Sequence, residues 1–283
     1  MDKLDPPAIA AALAPLEVRV VPACASTNAE LLAGEAGAPA LLIADHQSRG
    51  RGRRGRRWYS APGDGLLLSL GHRVGRPLRE LPGLSLAAGV AALRALRGLG
   101  LAQVELKWPN DLLAGGAKLG GILVETRVRD GAAWAVIGIG INWHAAPGGS
   151  RLRRDAVCVA QLVNEVPSRT SGAHAVATEL LRALREFDTL GLDAFRAEWE
   201  AAHAHAGQRV RVRLSDGRVV SGTADGIGAD GSLRLRTRRG VRDIHTGTLL
   251  VERTRLPVER THALVERTRA SVKRTRALAA RPS

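Results

Sequence analysis

Three short stretches of the sequence hold residue types that could bring two anions together. The segment GRGRRGRRW, residues 50–58, sets Arg51, Arg53, Arg54, Arg56 and Arg57 among the glycines Gly50, Gly52 and Gly55. Glycine lets a backbone approach a ligand closely, and guanidinium forks match carboxylate and phosphate oxygens. Such a run on its own also fits an RNA-binding or solvated loop. Its place between two apolar strands favours a built anion site. It is not a Walker A loop, since no G-x-x-x-x-G-K-[ST] occurs in the chain.

The second stretch, KWPNDLLAGGAKLGGILVE over residues 107–125, adds Asn110 and Asp111, hard oxygen donors suited to Mg²⁺ or to polar substrate atoms. It also carries Lys118, a point charge at the mouth of an apolar strand. Taken alone, this segment reads equally well as a surface hairpin with a snorkelling lysine. The third, GIGIN over residues 138–142, puts two glycines in a strand, where a ligand or a second backbone comes close, or where a core strand packs tightly. Residue scarcity adds weight to these positions. The lysines are Lys3, Lys107, Lys118 and Lys273 against 42 basic residues in all, and the asparagines are Asn28, Asn110, Asn142 and Asn164. In a chain whose composition drifts toward Arg, Ala and Gly, a retained lysine points to a need for lysine.

The elements that must position these groups alternate between strands and helices. Residues 18–21 predict a strand, followed by a helix starting at Thr27, where Thr27 and Glu30 have capping-box spacing. Strands follow at 40–45 and 66–70, with the arginine loop between them, then a buried helix over 84–100. Residues 104–108, 118–128 and 134–143 read as strands, the last two joined by an Asp130-Gly131 turn as antiparallel neighbours. Helical spacing covers 173–190 and 193–206. Four short alternating strands after Gly207 then predict a β-barrel of about 45 residues. The expected division is 1–205, 206–253 and a tail over 254–283, where a seven-residue unit starting at Val251, Val258, Val265 and Val272 forms a basic, disordered extension.

With 283 residues, 45% apolar and 24% charged, the chain is large enough for one large and one small domain, and it excludes a short module or a disordered polypeptide. No apolar run is long enough to span a bilayer, and the N-terminal residues lack signal-peptide character, so a cytoplasmic protein is expected. Cys24 and Cys158 form no CxxC pair, which argues against a disulfide framework or structural zinc. The net charge of +15 suggests an acidic partner, but eight basic residues against two acidic ones lie in the tail alone. A nucleic-acid-binding protein is the competing reading. Against it, none of the aromatic residues interleaves the tail as a stacking platform requires.

Together with STNAELL at residues 26–32 and ADHQSRGRGRRGRRWYS at 44–60, the motifs LKWPNDLL, KLGGILVE and IGIGIN resemble those of the biotin protein ligases in order and approximate spacing, from about residue 18 to about 251. No single motif is specific, but the set is. The resemblance implies an α/β catalytic domain on a mixed sheet, followed by an SH3-like barrel. It implies that biotin and MgATP form biotinyl-5′-AMP and pyrophosphate, and that biotin then passes to a lysine of a biotin carboxyl carrier domain of a carboxylase. Carried over residue by residue, it places Ser26, Thr27, Asn28 and Gln47 around the ureido ring, with Gly50, Arg51, Gly52, Arg53, Lys118 and Gly121 also on biotin. Arg51, Arg53, Arg56, Trp58, Asn110, Asp111, Lys118 and Asn142 fall on ATP or the adenylate, with Asn110 and Asp111 as the magnesium region. Lys118, Arg53 and Asp111 would be catalytic, Asp111 also being the candidate base for the acceptor lysine. Larger members carry an N-terminal winged helix-turn-helix, for which 17 residues before the first strand are too few, so a monofunctional ligase without specific DNA binding is expected. The resemblance is compatible with a homodimer and implies no membrane partner. A lipoate ligase, which shares the fold and the adenylation logic, is the nearest alternative enzyme.

Overall fold

A computed structural model describes residues 2–34, 38–129, 132–147 and 155–250. The Asp130-Gly131 turn and the repeats of the tail lie outside the described residues. The main sheet has seven strands: β1 (Glu17–Cys24), β2 (Ala40–Gln47), β3 (Gly65–Val74), β4 (Val104–Lys107), β5 (Asp111–Ala114), β6 (Ala117–Arg129) and β7 (Ala132–Asn142), in the order β1-β2-β3-β7-β6-β5-β4. Strands β1 and β2 are parallel, joined by the crossover helix α2 (Thr27–Ala33), and the other pairs are antiparallel, which makes the sheet mixed.

Alternation along the strands assigns their two faces. Leu41 and Ile43 of β2, with Leu66, Leu68 and Leu70 of β3, enter the large core beneath α3 (Leu84–Gly98) and α4 (Arg169–Leu190). Leu42, pointing the other way, joins Leu31, Trp134 and Val136 in a smaller cluster under α2. Covered on both faces, the central strands read as continuous apolar runs. Helix α3 is built from Ala, Gly and Leu because it lies close to the sheet: a Cβ on Gly89 would stand 3.6 Å from Leu106 and 3.7 Å from Ile122.

Four features depart from the sequence expectation. A helix, α1 (Pro6–Leu13), precedes β1, with Asp5 Oδ1 accepting the Ala8 N–H at 3.0 Å and prolines in its first turn. The cap of α2 is Ser26, whose hydroxyl accepts the Ala29 N–H. Thr27 is the first helical residue and no Thr27–Glu30 box forms, because the Thr27 hydroxyl is taken by tertiary partners. Helix α5 (Asp193–Ala201) stops short of residue 206, since the following residues leave to pair with the edge of β4: Leu106 N–H donates to Ala202 O at 2.8 Å, and Ala204 N–H to Leu106 O at 2.9 Å. Strand β5 lies where the sequence pattern predicts no strand, between those expected at 104–108 and 118–128.

The C-terminal sheet has five strands rather than four, β8 (Arg209–Arg213), β9 (Val219–Ile227), β10 (Leu233–Thr237), β11 (Gly240–Ile244) and β12 (Thr248–Leu250), in the order β11-β10-β9-β8-β12. Val210, Val212, Leu233, Leu235, Ile244 and Leu249 point inward and join the large core, while the arginines between them face water.

Two polar features tie this body together. Arg169, nearly without solvent contact, donates to the Asp2 backbone oxygen and to Asp45 Oδ1, each at 2.5 Å, and its own N–H donates to Asp2 Oδ2 at 2.7 Å. The N-terminal residues are thereby strapped to α4. His203 and His205, buried where β4 meets the chain leading into β8, are both pushed down to about 4. Burial is the main cause, followed by His205 acting on His203 and Lys107 acting on His205.

Removing the charge with Arg169→Met leaves two carboxylates without their buried partner and should cost about 3 kcal/mol in denaturant unfolding. The histidines are neutral in the fold but take protons near the ordinary value of 6.5 when unfolded, so their contribution is complete above pH 6.5 and is lost as pH falls toward about 4. Unfolding followed from pH 7 to pH 4.5 should show a loss on the order of 5 kcal/mol that is absent from the double variant His203→Gln, His205→Gln.

Candidate active site

Beside the buried start of α2 lies a polar cradle. The Thr27 N–H and hydroxyl both donate to Gln47 Oε1, at 2.8 and 3.2 Å, and Ser69 Oγ stands 2.6 Å from both Thr27 Oγ1 and Asn28 Oδ1. Asn28 Nδ2 donates to Leu123 O and Glu125 Oε2, each at 3.1 Å, while Glu125 Oε1 accepts from Arg51 at 2.7 Å. A chain of polar contacts thus runs from Ser69 through Asn28 and Glu125 to the arginine loop. Gly138 makes room for it: a Cβ there would lie 2.1 Å from Asn28 Oδ1.

The loop over 50–58 folds back on itself. Gly52 N–H donates to Arg56 O at 2.7 Å and Trp58 N–H to Gly50 O at 2.9 Å, and a Cβ on Gly50 would meet Trp58 O at 2.6 Å. This places the Trp58 ring on a glycine floor. A Cβ on Gly140 would stand 2.8 Å from the ring, and one on Gly121 would stand 3.5 Å from it.

Under the loop lie the charged groups. Lys118 Nζ bonds Asp111 Oδ1 at 2.5 Å and stands 5.7 Å from the Trp58 ring centre. A register shift makes this meeting possible. Asp111 pairs with Gly121 and Leu112 with Gly120, but Leu113 pairs with Lys118, so Leu119 is the extra residue. The bulge turns Lys118 onto the face shared by Asp111 and Gly121, whereas unbroken alternation would send it to the other face. Arg53 Nη1 lies 3.4 Å from Asn110 Oδ1, and Asn110 is locked to β6 by Nδ2 donating to Ile122 O at 2.8 Å. Burial, then the neighbouring Arg54 charge, pushes Arg53 below the ordinary guanidinium value. Asp111 offsets part of this, and an incoming anion would offset the rest.

Not every expected residue converges here. Asn142 is buried and donates to the backbone oxygens of Lys118 and Val157, at 3.2 and 3.0 Å, so it clamps the chain that carries the lysine. Ser26 acts as the cap of α2. Arg56 points to Thr248 at 3.1 Å. Asp111 is held by Lys118, so in this geometry it is the lysine's partner more than a base. Sequence reasoning did not single out Ser69 or Glu125. Their signals were present: a serine among leucines in LLLSL, and an acid closing KLGGILVE. The arrangement offers hydrogen bonds for a neutral polar head group, two cations for acidic groups, and an aromatic face for a planar ring.

Residues 21–142 match the Biotin/lipoate A/B protein ligase family, and residues 205–249 match the Biotin protein ligase C terminal domain. The chain is 37% identical over 230 residues to the biotin--[acetyl-CoA-carboxylase] ligase of Mycobacterium tuberculosis, spanning 77% of this chain and 83% of that protein. It is 32% identical over 226 residues to the bifunctional ligase/repressor BirA of Bacillus subtilis, covering 79% of this chain and 69% of the relative. The fold superposes on the Aquifex aeolicus biotin protein ligase solved with biotin and ATP, at TM-score 0.73 and 24% identity, over 84% of this chain and 99% of the other. The Helicobacter pylori biotin acetyl coenzyme A carboxylase synthetase, solved with biotinylated ATP, matches at TM-score 0.56 and 25% identity over 81% and 99% of the two chains. The chain belongs to the biotin protein ligase family.

Gly138→Ala should cost about 1 to 3 kcal/mol in thermal or denaturant melts, because the anchored Asn28 cannot withdraw without breaking its contacts. Gly98→Ala, with nothing within 4 Å of its Cβ, serves as the neutral control.

Proposed function

We propose that this chain is an ATP-dependent biotin protein ligase that joins biotin to AMP and then to a lysine of a carrier protein. The observation that carries the reading is the convergence of Lys118 and Arg53 on the Asn110-Asp111 turn, with Lys118 beneath Trp58, next to the cradle of Thr27, Asn28, Gln47 and Ser69. In the first step a carboxylate oxygen of biotin attacks the α-phosphorus of ATP, the bond to the β-phosphate oxygen breaks, and pyrophosphate leaves. In the second, the acceptor amine attacks the acyl carbon of the mixed anhydride, AMP departs, and the amine proton is lost.

The roles follow from chemistry and position. Thr27, Asn28 and Gln47 pair with the ureido group, Ser26 setting the start of the helix that presents the first two and β2 presenting the third. Gly50, Arg51, Gly52 and Gly121 line the path of the biotin tail, with Arg51 steered by Glu125. Arg53 and Lys118 offset the mutual repulsion of the biotin carboxylate and the phosphates and stabilise charge growing on the equatorial oxygens. Trp58 offers its face to the adenine, and Asn142 holds the backbone of Lys118 in place. Asp111 keeps the ammonium aimed at the reaction centre.

Among the described residues no group of three or more His, Cys, Asp or Glu side chains could hold a metal ion. Magnesium does not require one, since it keeps its own waters and binds through one or two protein oxygens plus phosphate. The Asp111 carboxylate and the Asn110 amide oxygen suit it and would hold it, and it would supply neutralisation of phosphate charge. The partner is read as a biotin carboxyl carrier domain, and the functional division as 1–205, 206–253 and the tail. Among the described residues no helix is long and apolar enough to cross a membrane.

The direct test is incubation of the purified chain with ATP, magnesium, labelled biotin and a carrier domain, followed by localisation of label on its lysine. Lipoate that competes equally with biotin in pyrophosphate exchange would favour a lipoate ligase instead. Lys118→Ala should lower biotin-dependent pyrophosphate release by about 3 to 4 kcal/mol in activation free energy while its melting curve stays that of a folded protein. Turnover at the wild-type rate would remove Lys118 from the mechanism.

A further inference from the structure

The C-terminal sheet reaches the arginine loop through two hydroxyls. Arg54 Nη1 donates to Thr248 Oγ1 at 3.1 Å, Arg54 Nη2 donates to Thr246 Oγ1 at 3.0 Å, and Arg56 Nη2 donates to the same Thr248 oxygen at 3.1 Å. The two threonines stand two residues apart, one in the bend before β12 and one at its first residue, and their hydroxyls take the two arms of one guanidinium fork. Between them, Gly247 fits a narrow space: a Cβ there would lie 2.4 Å from Val212 and 3.7 Å from the Trp108 ring. Trp108 is itself held by its Nε1 donating to Gly231 O at 3.0 Å, and it leads directly into the Pro109-Asn110-Asp111 turn. The tripeptide 246–248 therefore contacts the loop that carries Arg53 and packs against the segment that carries Asn110 and Asp111.

Arg54 supplies a second, independent observation. Among the described residues it is the one non-glycine with positive φ, at 57°. An L-residue enters that region at a cost that surrounding contacts must offset. The turn at Arg54 sends its own side chain outward to Thr246 and Thr248 while its neighbour Arg53 faces inward to Asn110. Holding Arg54 from outside thus fixes the aim of Arg53.

We infer that Thr246 and Thr248 are positioning residues that latch the arginine loop over the adenylate site, keeping the reactive anhydride from water and from escape. The loop arginines Arg54 and Arg56 are the other half of this latch. The inference rests on the adenylate-forming reading given above, and its test separates the two.

The double variant Thr246→Val, Thr248→Val removes both acceptors with little change of shape, and Thr246→Ser, Thr248→Ser restores them. In limited trypsin digestion of the ligand-free full chain, cutting within residues 49–57, mapped by mass spectrometry, should be roughly fivefold faster in the valine variant and near the wild-type rate in the serine variant. With labelled biotin and MgATP but no acceptor, biotinyl-AMP should escape from the valine variant faster by a similar factor, with the serine variant again restoring retention. Equal cutting in all three proteins overturns the latch whether or not the enzyme makes an adenylate. Faster cutting with unchanged escape overturns the positioning role. A wild-type protein that makes no biotinyl-AMP overturns the adenylate-forming reading and the role assigned to the latch, while the digestion still decides whether the contact holds the loop.

Discussion

The Lys118–Asp111 ion pair is the contact on which the site depends. A site that joins two acids needs concentrated positive charge, and concentrated positive charge in a half-buried place is unstable without an anion of its own. Asp111 supplies that anion to Lys118, and the amide oxygen of Asn110 partly serves Arg53. Both partners sit side by side at the start of β5, whose pairing with β6 is therefore as much a part of the chemistry as the cations. The bulge at Leu119 decides whether the lysine meets its carboxylate or faces the opposite side of the sheet.

Glycine plays a complementary part. Gly121, Gly138 and Gly140 lie where β6 and β7 pass beneath Trp58 and Asn28, and at each the missing side chain is replaced by a group of the site. The loop itself closes through backbone bonds between Gly52 and Arg56 and between Gly50 and Trp58, so its arginines are displayed from a compact turn. The rest of the fold stiffens this arrangement. Residues 202–204 bridge to the edge of β4 at Leu106, and Trp108 is tied to Gly231, so the turn bearing Asn110 and Asp111 is held from two directions.

Much of this was legible in the linear pattern. Strands β2, β3, β6 and β7 and helices α3 and α4 carry periodic apolar residues long enough to outweigh any local competitor, and their approximate positions followed. Shorter elements were harder. Strand β5 is four residues between two turns, and β12 is three residues after a glycine, too few to show a period. Helix α1 had its signal in an Asp5 cap followed by two prolines, but its eight residues are too few to show a clear apolar period. The Thr27–Glu30 spacing pointed to the correct helix start but the wrong cap, because Gln47 and Ser69, distant in sequence, claim the threonine hydroxyl.

By itself, the sequence determined which residues could do the chemistry. Arginine among glycines, a retained lysine, adjacent Asn and Asp, and a tryptophan closing the loop are properties of composition and order. Only the tertiary structure decided which of them face one another. It set Asp111 on Lys118 through a bulge, turned Asn142 to the backbone, sent Arg54 and Arg56 outward to Thr246 and Thr248, and brought Glu125 and Ser69 to Asn28. The physical reason is that side-chain direction in a sheet reverses with each residue of register, and register is fixed by long-range hydrogen bonds and core burial that no local pattern records.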